Sequence, residues 1–138
     1  MDLTDKNILV VEDNLAFLEV LRDVLEMEGY TVHVALNAAE GHSLIQGMRV
    51  DLLITDMLLP DGNGADLIAA LQERSPATKI VAMSASTFHR VGPEQAAQDL
   101  GVDRVLAKPF DLDTLLDLVA ELLSAGSPRR RIACQSDS

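Results

Sequence analysis

The stretch LLITDMLLPDG, from Leu52 to Gly62, begins as a run of apolar and β-branched residues and meets its first acidic side chain at Asp56. A run of this kind, without polar alternation, is typical of a strand that is covered on both faces of a parallel sheet. Three more apolar residues follow Asp56. A carboxylate among apolar neighbours is costly to bury unless a partner stabilises it. The stretch therefore predicts a buried strand that ends on a partnered carboxylate.

Strand-like runs recur on both sides of this stretch, and segments with helical spacing lie between them. The five predicted strands are 7–11, 31–35, 51–55, 79–83 and 103–107. Stripes of apolar residues at helical spacing predict five helices. These are a helix through Leu18, Leu21, Val24 and Leu25 that ends near Gly29, a helix at 38–47, one through Leu67, Ile68 and Leu71, a weak one at 93–100, and one from Leu112 to Leu123. Asn37 and Asp111 are the expected N-caps of the second and last helices. The alternation predicts an α/β fold with a doubly wound (βα)5 parallel sheet.

Length and composition suit one globular domain. The 138 residues are 48% hydrophobic, which is enough for a substantial core. Helical and strand periodicity disappears from Ser124 onward, in the stretch SAGSPRRRIACQSDS. We therefore expect a domain over 1–124 and a disordered tail over 125–138.

Charge and cysteine content restrict the possible partners and compartment. The net charge of −11 opposes binding to nucleic acid and to anionic membranes, and it favours cationic partners or a divalent metal. The single cysteine, Cys134, cannot form an intramolecular disulfide, which fits a reducing compartment. The sequence shows neither a signal-peptide pattern nor an apolar run of transmembrane length. We therefore expect a cytoplasmic protein without membrane insertion.

Polar side chains stand where four of the predicted strands end. Glu12 and Asp13 follow the first strand, Asp56 the third, Ser84 the fourth and Lys108 the fifth. In open α/β sheets, ligands bind outside the carboxyl ends of the strands. We expect these five side chains to lie together at that edge.

This set of side chains favours phosphoryl chemistry. Two like charges about 4 Å apart cost about 4 kcal/mol at an effective dielectric constant of about 20, so three carboxylates need a cation. Oxygen ligands of this kind suit Mg²⁺. Lys108 adds an ammonium suited to a phosphoryl group, and Ser84 adds a hydroxyl donor. Asp56 would then be the nucleophile and become an acyl phosphate.

Four motifs of the sequence resemble the receiver domain of two-component response regulators. They are ILVVEDN, DLLITDMLLPDGNG, VAMSAS and VLAKPF, and the resemblance extends from about Lys6 to Leu123. Each motif alone is weak, but four in the right order at strand ends are specific. The resemblance implies a flavodoxin-like fold with strand order 2-1-3-4-5.

The resemblance also implies roles at a metal site. Asp56 corresponds to the phosphoacceptor, and Asp13 to the main Mg²⁺ ligand, with Glu12 beside it. The backbone carbonyl of Leu58 corresponds to a further ligand of the metal.

Further roles follow from the same resemblance. Lys108 corresponds to the phosphoryl-binding lysine, preceding a cis peptide bond to Pro109, and Ser84 corresponds to the switch hydroxyl. Pro60, Gly62 and Gly64 fit a flexible loop. Val105 stands where the family usually has Tyr or Phe, so the aromatic switch of the family lacks its ring here.

The predicted function is a phosphorylation-driven switch in a two-component phosphorelay. The expected partners are a sensor histidine kinase or a histidine phosphotransfer protein, and an unknown downstream protein that docks on the switched form. We expect self-catalysed phosphoryl transfer and slow autodephosphorylation at most, and hence not an enzyme. The chain could be a stand-alone receiver or one excised from a longer protein.

Two other functions and several plainer assignments stay open at this point. A Mg²⁺-dependent phosphohydrolase with an aspartyl nucleophile would resemble haloacid-dehalogenase-type enzymes, but Leu58 stands where those have a second Asp. A pseudo-receiver that is never phosphorylated would not need the complete set of acids and lysine. Asp13 or Asn14 could cap the first helix, and Ser84 could be an ordinary loop residue.

Overall fold

The computed structural model describes residues 6–84 and 92–124, which alternate between strands and helices. The strands are β1 (Asn7–Val11), β2 (Thr31–Ala35), β3 (Leu52–Asp56), β4 (Leu58–Leu59), β5 (Gly62–Asn63), β6 (Lys79–Ser84) and β7 (Arg104–Ala107). The helices are α1 (Leu15–Met27), α2 (Ala38–Gly47), α3 (Gly64–Arg74), α4 (Gly92–Leu100) and α5 (Leu112–Leu123). The predicted tail and residues Ser86, His89 and Cys134 lie outside the described residues. Within the described part of the chain, no helix is long and apolar enough to cross a membrane.

Five of the strands form one parallel sheet in the order β2-β1-β3-β6-β7. Because β4 and β5 pair separately, this order is 2-1-3-4-5 when only the strands of the large sheet are counted. The predicted flavodoxin-like α/β fold is confirmed. The order reverses between β1 and β3, which makes their carboxyl ends the expected ligand site.

Two strands begin one residue later than the sequence predicts, at Leu52 and Arg104. Asp51 Oδ2 accepts a hydrogen bond of 2.7 Å from the Asn7 backbone N–H. Asp103 Oδ2 accepts one of 2.8 Å from the Ile80 N–H. Each aspartate thus bonds to the neighbouring strand through its side chain, just ahead of the regular ladder.

The core forms two layers, one on each face of the sheet. Leu9 and Val11 of β1 pack into one layer, and Ile8 and Val10 pack into the other, as alternation along a strand requires. Helices α2, α3 and α4 cover the first layer, whereas α1 and α5 cover the second. Burial of each large aliphatic side chain contributes about 1.5–3 kcal/mol. The sheet is therefore a rigid base for the side chains at its carboxyl edge.

The N-cap predicted for α2 is confirmed, whereas the one predicted for α5 is confirmed in position only. Asn14 and Asn37 cap α1 and α2, and each side chain accepts a hydrogen bond from a backbone N–H of the first turn. Asp111 stands at the N-cap of α5, but its side chain makes no capping hydrogen bond in this helix. Gly29 follows α1 with φ of 99°, a conformation that favours glycine.

The segment after β3, expected to be a flexible loop, contains an antiparallel hairpin. Leu58 pairs with Asn63, and Leu59 pairs with Gly62. Gly64 begins α3 against the end of β3, where an added Cβ would overlap the backbone carbonyl oxygen of Asp56. The sequence did not predict this hairpin, which holds the chain immediately after Asp56 in a defined path.

Candidate functional site

Three carboxylates meet at the carboxyl edge of the sheet. Glu12 and Asp13 directly follow β1, and Asp56 ends β3 beside it. One oxygen from each of the three lies within 4.8 Å of the others. Glu12 and Asp56 are buried, whereas Asp13 is exposed. The structure thus brings together all three acids that were singled out in the sequence.

Lys108 joins two of these acids. Its Nζ lies 2.7 Å from Glu12 Oε1 and 2.8 Å from Asp56 Oδ2. Its position follows from β7, which ends at Ala107 beside β6. The ammonium offsets part of the repulsion between the buried carboxylates. The three acids and one lysine together still carry a net negative charge.

The ionisation of the site reflects burial and these hydrogen bonds. Burial raises the pKa of Glu12, and the hydrogen bonds from Lys108 and the Asn14 backbone offset only part of that effect. Burial lowers the pKa of Lys108, but its hydrogen bonds to Asp56 and Glu12 outweigh it and the pKa is raised. Lys108 therefore remains a cation at neutral pH.

Backbone groups orient the buried acids. The Leu58 N–H donates to Asp56 Oδ1 at 3.2 Å, and the Asn14 N–H donates to Glu12 Oε2 at 3.0 Å. One carboxylate oxygen of Asp56 thus accepts a hydrogen bond from the Lys108 ammonium, and the other accepts one from a backbone amide. Leu58 exposes 74% of its surface, so its main chain faces the site while its side chain points to solvent.

Ser84 and Val105 occupy the neighbouring strands. Ser84 ends β6, is 3% exposed, and accepts a hydrogen bond of 2.7 Å at its backbone oxygen from the Lys108 N–H. Val105 lies in β7 opposite Ala82 and is buried in the core. The peptide bond between Lys108 and Pro109 is cis, as the resemblance implied.

Two aromatic side chains beside the lysine were not identified from the sequence. The Lys108 Nζ lies 5.1 Å from the centre of the Phe17 ring, within the range of a cation–π interaction. Phe17 and Phe110 meet edge to face with ring centres 5.8 Å apart. Phe17 lies on α1 at the spacing of its apolar stripe, so no sequence signal distinguishes it from an ordinary core residue.

Asp61, in the turn of the hairpin, was also missed. Its two carboxylate oxygens accept hydrogen bonds from the backbone N–H groups of Ala38, at 2.8 Å, and Ala39, at 3.0 Å. These bonds hold the pKa of the Asp61 carboxyl below its usual value. The segment after Asp56 is therefore tied to the first turn of α2.

A family model described as the response regulator receiver domain matches residues 8–120. The chain belongs to this family. Receiver domains of response regulators are signalling domains. The resemblance found in the four sequence motifs is confirmed.

Curated relatives of this receiver domain include parts of longer regulators. It is 33% identical over 129 residues to the DNA-binding transcriptional regulator NtrC of Rhizobium meliloti (strain 1021), covering 94% of this chain but 26% of NtrC. It is 30% identical over 123 residues to the photosynthetic apparatus regulatory protein RegA of Rhodobacter capsulatus, covering 89% of this chain and 64% of RegA. An uncharacterized 14.6 kDa protein of Leptolyngbya boryana is 34% identical over 126 residues, with 91% and 96% covered. The chain thus spans about a quarter of NtrC and just under two thirds of RegA.

Solved receiver domains superimpose on this one. The CheY-like receiver domain protein of Methanospirillum hungatei JF-1 is 29% identical, with a TM-score of 0.78 over 86% of this chain and 94% of that one. The response regulator TrrA of Thermotoga maritima, in complex with Mg²⁺ and BeF, is 27% identical, with a TM-score of 0.74 over 85% and 98%. These likenesses confirm the fold of the receiver domain.

Proposed function

We propose that this receiver domain is a switch that Mg²⁺-dependent phosphorylation of Asp56 turns on. One observation carries the proposal: the Asp56 carboxylate ends the central strand β3 with one oxygen on the Lys108 ammonium and the other on the Leu58 amide. A nucleophile on a rigid strand end, beside a cation and two further acids, fits phosphoryl transfer by positioning and charge stabilisation.

The donor set fits Mg²⁺. Glu12, Asp13 and Asp56 offer carboxylate oxygens within 4.8 Å of one another, and the Leu58 carbonyl would complete the set. Oxygen ligands from a few carboxylates suit this small, hard ion, which keeps several of its waters. When bound, the ion would neutralise negative charge on the phosphoryl oxygens. Lys108 supplies only one positive charge to three acids, so the site has negative charge left for a divalent cation.

In the chemical step, groups of this chain act on the phosphoryl group of a donor. An Asp56 oxygen attacks the phosphorus of a phosphohistidine whose imidazole ring is protonated, the P–N bond breaks, and its electron pair stays on the ring nitrogen, so the donor leaves as neutral histidine. Asp56 becomes a neutral acyl group bearing the phosphoryl dianion. The Lys108 ammonium, which bonds Asp56 in the unphosphorylated form, then bonds a phosphoryl oxygen. The Ser84 hydroxyl, at the end of the neighbouring strand, bonds another.

Slow loss of phosphate is part of the same proposal. Leu58, two residues past the nucleophile, carries no acid or base that could activate water. The site thus lacks at this position the general acid of a multi-turnover phosphohydrolase. This supports a signalling switch with slow autodephosphorylation.

The proposed partners are a sensor histidine kinase or histidine phosphotransfer protein and a downstream protein that docks on the phosphorylated form. Leu58 and Leu15, which begins α1 near the site, expose 74% and 55% of their surface at the edge where the donor must approach. Such side chains suit contact with an apolar face of the donor.

We assign residues 1–124 to the receiver domain.

Intact-mass measurement tests the proposal. The wild type, incubated with acetyl phosphate and Mg²⁺, should gain one acid-labile phosphoryl group, and EDTA should abolish the gain. Asp56→Asn should gain none. Asp113→Asn, which removes an exposed acid of α5, should be labelled like the wild type. Stoichiometric labelling of the Asp56→Asn variant, or none in the wild type, contradicts the proposal.

A further inference from the structure

Asp61 bonds the hairpin after β3 to the first turn of α2, which lies more than twenty residues earlier in the sequence. Its Oδ1 accepts from the Ala38 N–H at 2.8 Å, and its Oδ2 accepts from the Ala39 N–H at 3.0 Å. Both oxygens are therefore used, and both donors belong to the first turn of α2. The side chain is exposed, so nothing in its burial explains this two-point attachment.

Helix α2 also has a cap formed by residues at its own N-terminus. Asn37 Oδ1 accepts from the Glu40 N–H at 2.8 Å, and Glu40 Oε1 accepts from the Leu36 N–H at 2.8 Å. This pair resembles a capping box, but Glu40 bonds the N–H of Leu36, one residue before the N-cap, and the N–H groups of Ala38 and Ala39 are left to Asp61. The bonds from Asp61 therefore complete the cap of α2, and they also attach a distant element to it.

The attached element carries the main chain that faces Asp56. Leu58 belongs to β4, and its N–H donates to Asp56 Oδ1 at 3.2 Å. The base of the hairpin is held by hydrogen bonds from the Met57 N–H to the Met83 oxygen at 3.0 Å and from the Gly64 N–H to the Met57 oxygen at 2.9 Å. Its turn is held by Asp61. Leu58 lies between these two attachments.

We propose that Asp61 is a positioning residue of the phosphorylation site: by bonding the first turn of α2, it holds the hairpin so that the Leu58 main chain stays against Asp56, and it thereby sets Mg²⁺ affinity and phosphorylation rate. The proposal rests on the function proposed above, because the Leu58 carbonyl matters only if the site binds Mg²⁺. Partners that orient metal ligands from outside the ligand set commonly tune affinity in this way.

Two matched variants separate positioning from helix capping. Asp61→Ala removes the bonds to α2 from the hairpin side, and Asn37→Ala removes a cap of the same helix from its own side. Both should lower the melting temperature by a few degrees, since each removes hydrogen bonds at the first turn of α2. Only Asp61→Ala should move the hairpin. Asp61→Asn, which loses the same charge but keeps one acceptor oxygen, should fall between Asp61→Ala and the wild type.

The first readout is the amide NMR spectrum of the metal-free protein, followed by titration with Mg²⁺ alone. In Asp61→Ala we expect a shifted Leu58 amide resonance and a Mg²⁺ dissociation constant raised up to about tenfold, the lower end of the range for residues that support metal ligands. The second readout is the rate of phosphorylation by acetyl phosphate at low and saturating Mg²⁺. Asp61→Ala should be slow at low Mg²⁺, whereas Asn37→Ala should match the wild type.

The outcomes separate this inference from the proposed function. If the wild type binds Mg²⁺ and is phosphorylated but Asp61→Ala does both equally well, the positioning role is wrong. Equal loss of Mg²⁺ affinity in Asp61→Asn and Asp61→Ala, with an unchanged Leu58 resonance, would mean a charge effect and would also overturn it. A wild type that is never phosphorylated overturns the proposed function instead, and the metal-free Leu58 resonance still tests whether Asp61 positions the hairpin.

Discussion

The Lys108 ammonium lies 2.8 Å from Asp56 Oδ2, although 52 residues separate the two in the sequence. Asp56 is the last residue of β3, and Lys108 directly follows β7 of the same parallel sheet. In the unphosphorylated protein the lysine therefore stabilises the carboxylate that is proposed to receive the phosphoryl group. Substitution of Lys108 should therefore affect both the metal-free protein and the phosphorylated protein.

Removal of the ammonium should destabilise the metal-free protein. In Lys108→Met, Glu12 and Asp56 lose their shared cation, and we expect the free energy of unfolding to fall by about 2 kcal/mol, below the roughly 3–5 kcal/mol for a fully buried pair. Added Mg²⁺ should restore more stability than it adds to the wild type, because the acids then lack competition from the ammonium. Urea denaturation with and without Mg²⁺ measures both effects.

Lys79→Met is the control for that experiment, because Lys79 is half-buried and makes no ion pair with any described residue. It should change the Mg²⁺ response little. A Lys108→Met variant that Mg²⁺ stabilises less than the wild type would count against a shared site for the ammonium and the metal.

The raised pKa of Glu12 predicts a pH dependence of stability. The native state of metal-free protein binds more protons at this group than the unfolded state between pH 4.5 and the raised native pKa, so this group makes the free energy of unfolding fall as pH rises through that window. Glu12→Gln should remove this contribution, and Mg²⁺ should suppress it in the wild type. Urea denaturation across this pH range measures the free energy of unfolding. If it depends on pH equally in metal-free Glu12→Gln and metal-free wild type, the raised pKa of Glu12 is contradicted.

The strand-end residues were predictable, whereas the contacts between them were not. Glu12, Asp13, Asp56 and Lys108 could be found because each interrupts or follows an apolar run, and parallel strands bring such positions to one edge. Which acids Lys108 would bond could not be found, since this depends on side-chain conformations set by the packed sheet. The same holds for its approach to Phe17.

The hairpin shows a second limit. Leu58 and Leu59 form only a two-residue strand, which is too short for any periodic pattern to reveal. The bonds from Asp61 to α2 join segments that are distant in sequence, and PDG in isolation indicates only a turn. Local patterns thus predicted the main elements, and long-range hydrogen bonds required the structure.

Leu58 should prolong the phosphorylated state. Its side chain is 74% exposed and cannot orient water, so Leu58→Asn should speed dephosphorylation several-fold with little loss of stability. The rate of loss of the acid-labile group, followed by intact mass after removal of the donor, measures this. Leu15→Asn, an equivalent change at another exposed leucine near the site, should leave the rate unchanged. Equal or slower loss in Leu58→Asn would exclude a shielding role.

Activation should reorder the region from β6 to α4 more than α5. Among the described side chains of α4, only Ala97 is buried, whereas α5 buries Leu115, Val119 and two further leucines. Val105 has no ring that could swing toward the site, so the change must pass through other elements. Amide hydrogen exchange with and without beryllofluoride should show its main changes in residues 84–100, and changes confined to 103–123 would contradict this route.

The central claim is that Asp56 is the phosphoacceptor, and reductive trapping tests it most directly. Borohydride reduces an aspartyl phosphate to homoserine and leaves an unmodified aspartate intact. After incubation with acetyl phosphate and Mg²⁺, reduction and peptide mass spectrometry, we predict homoserine at position 56 and no conversion in samples treated with EDTA. Homoserine at position 13 or another acid, or no conversion in a sample shown to carry the phosphoryl group, would contradict the account.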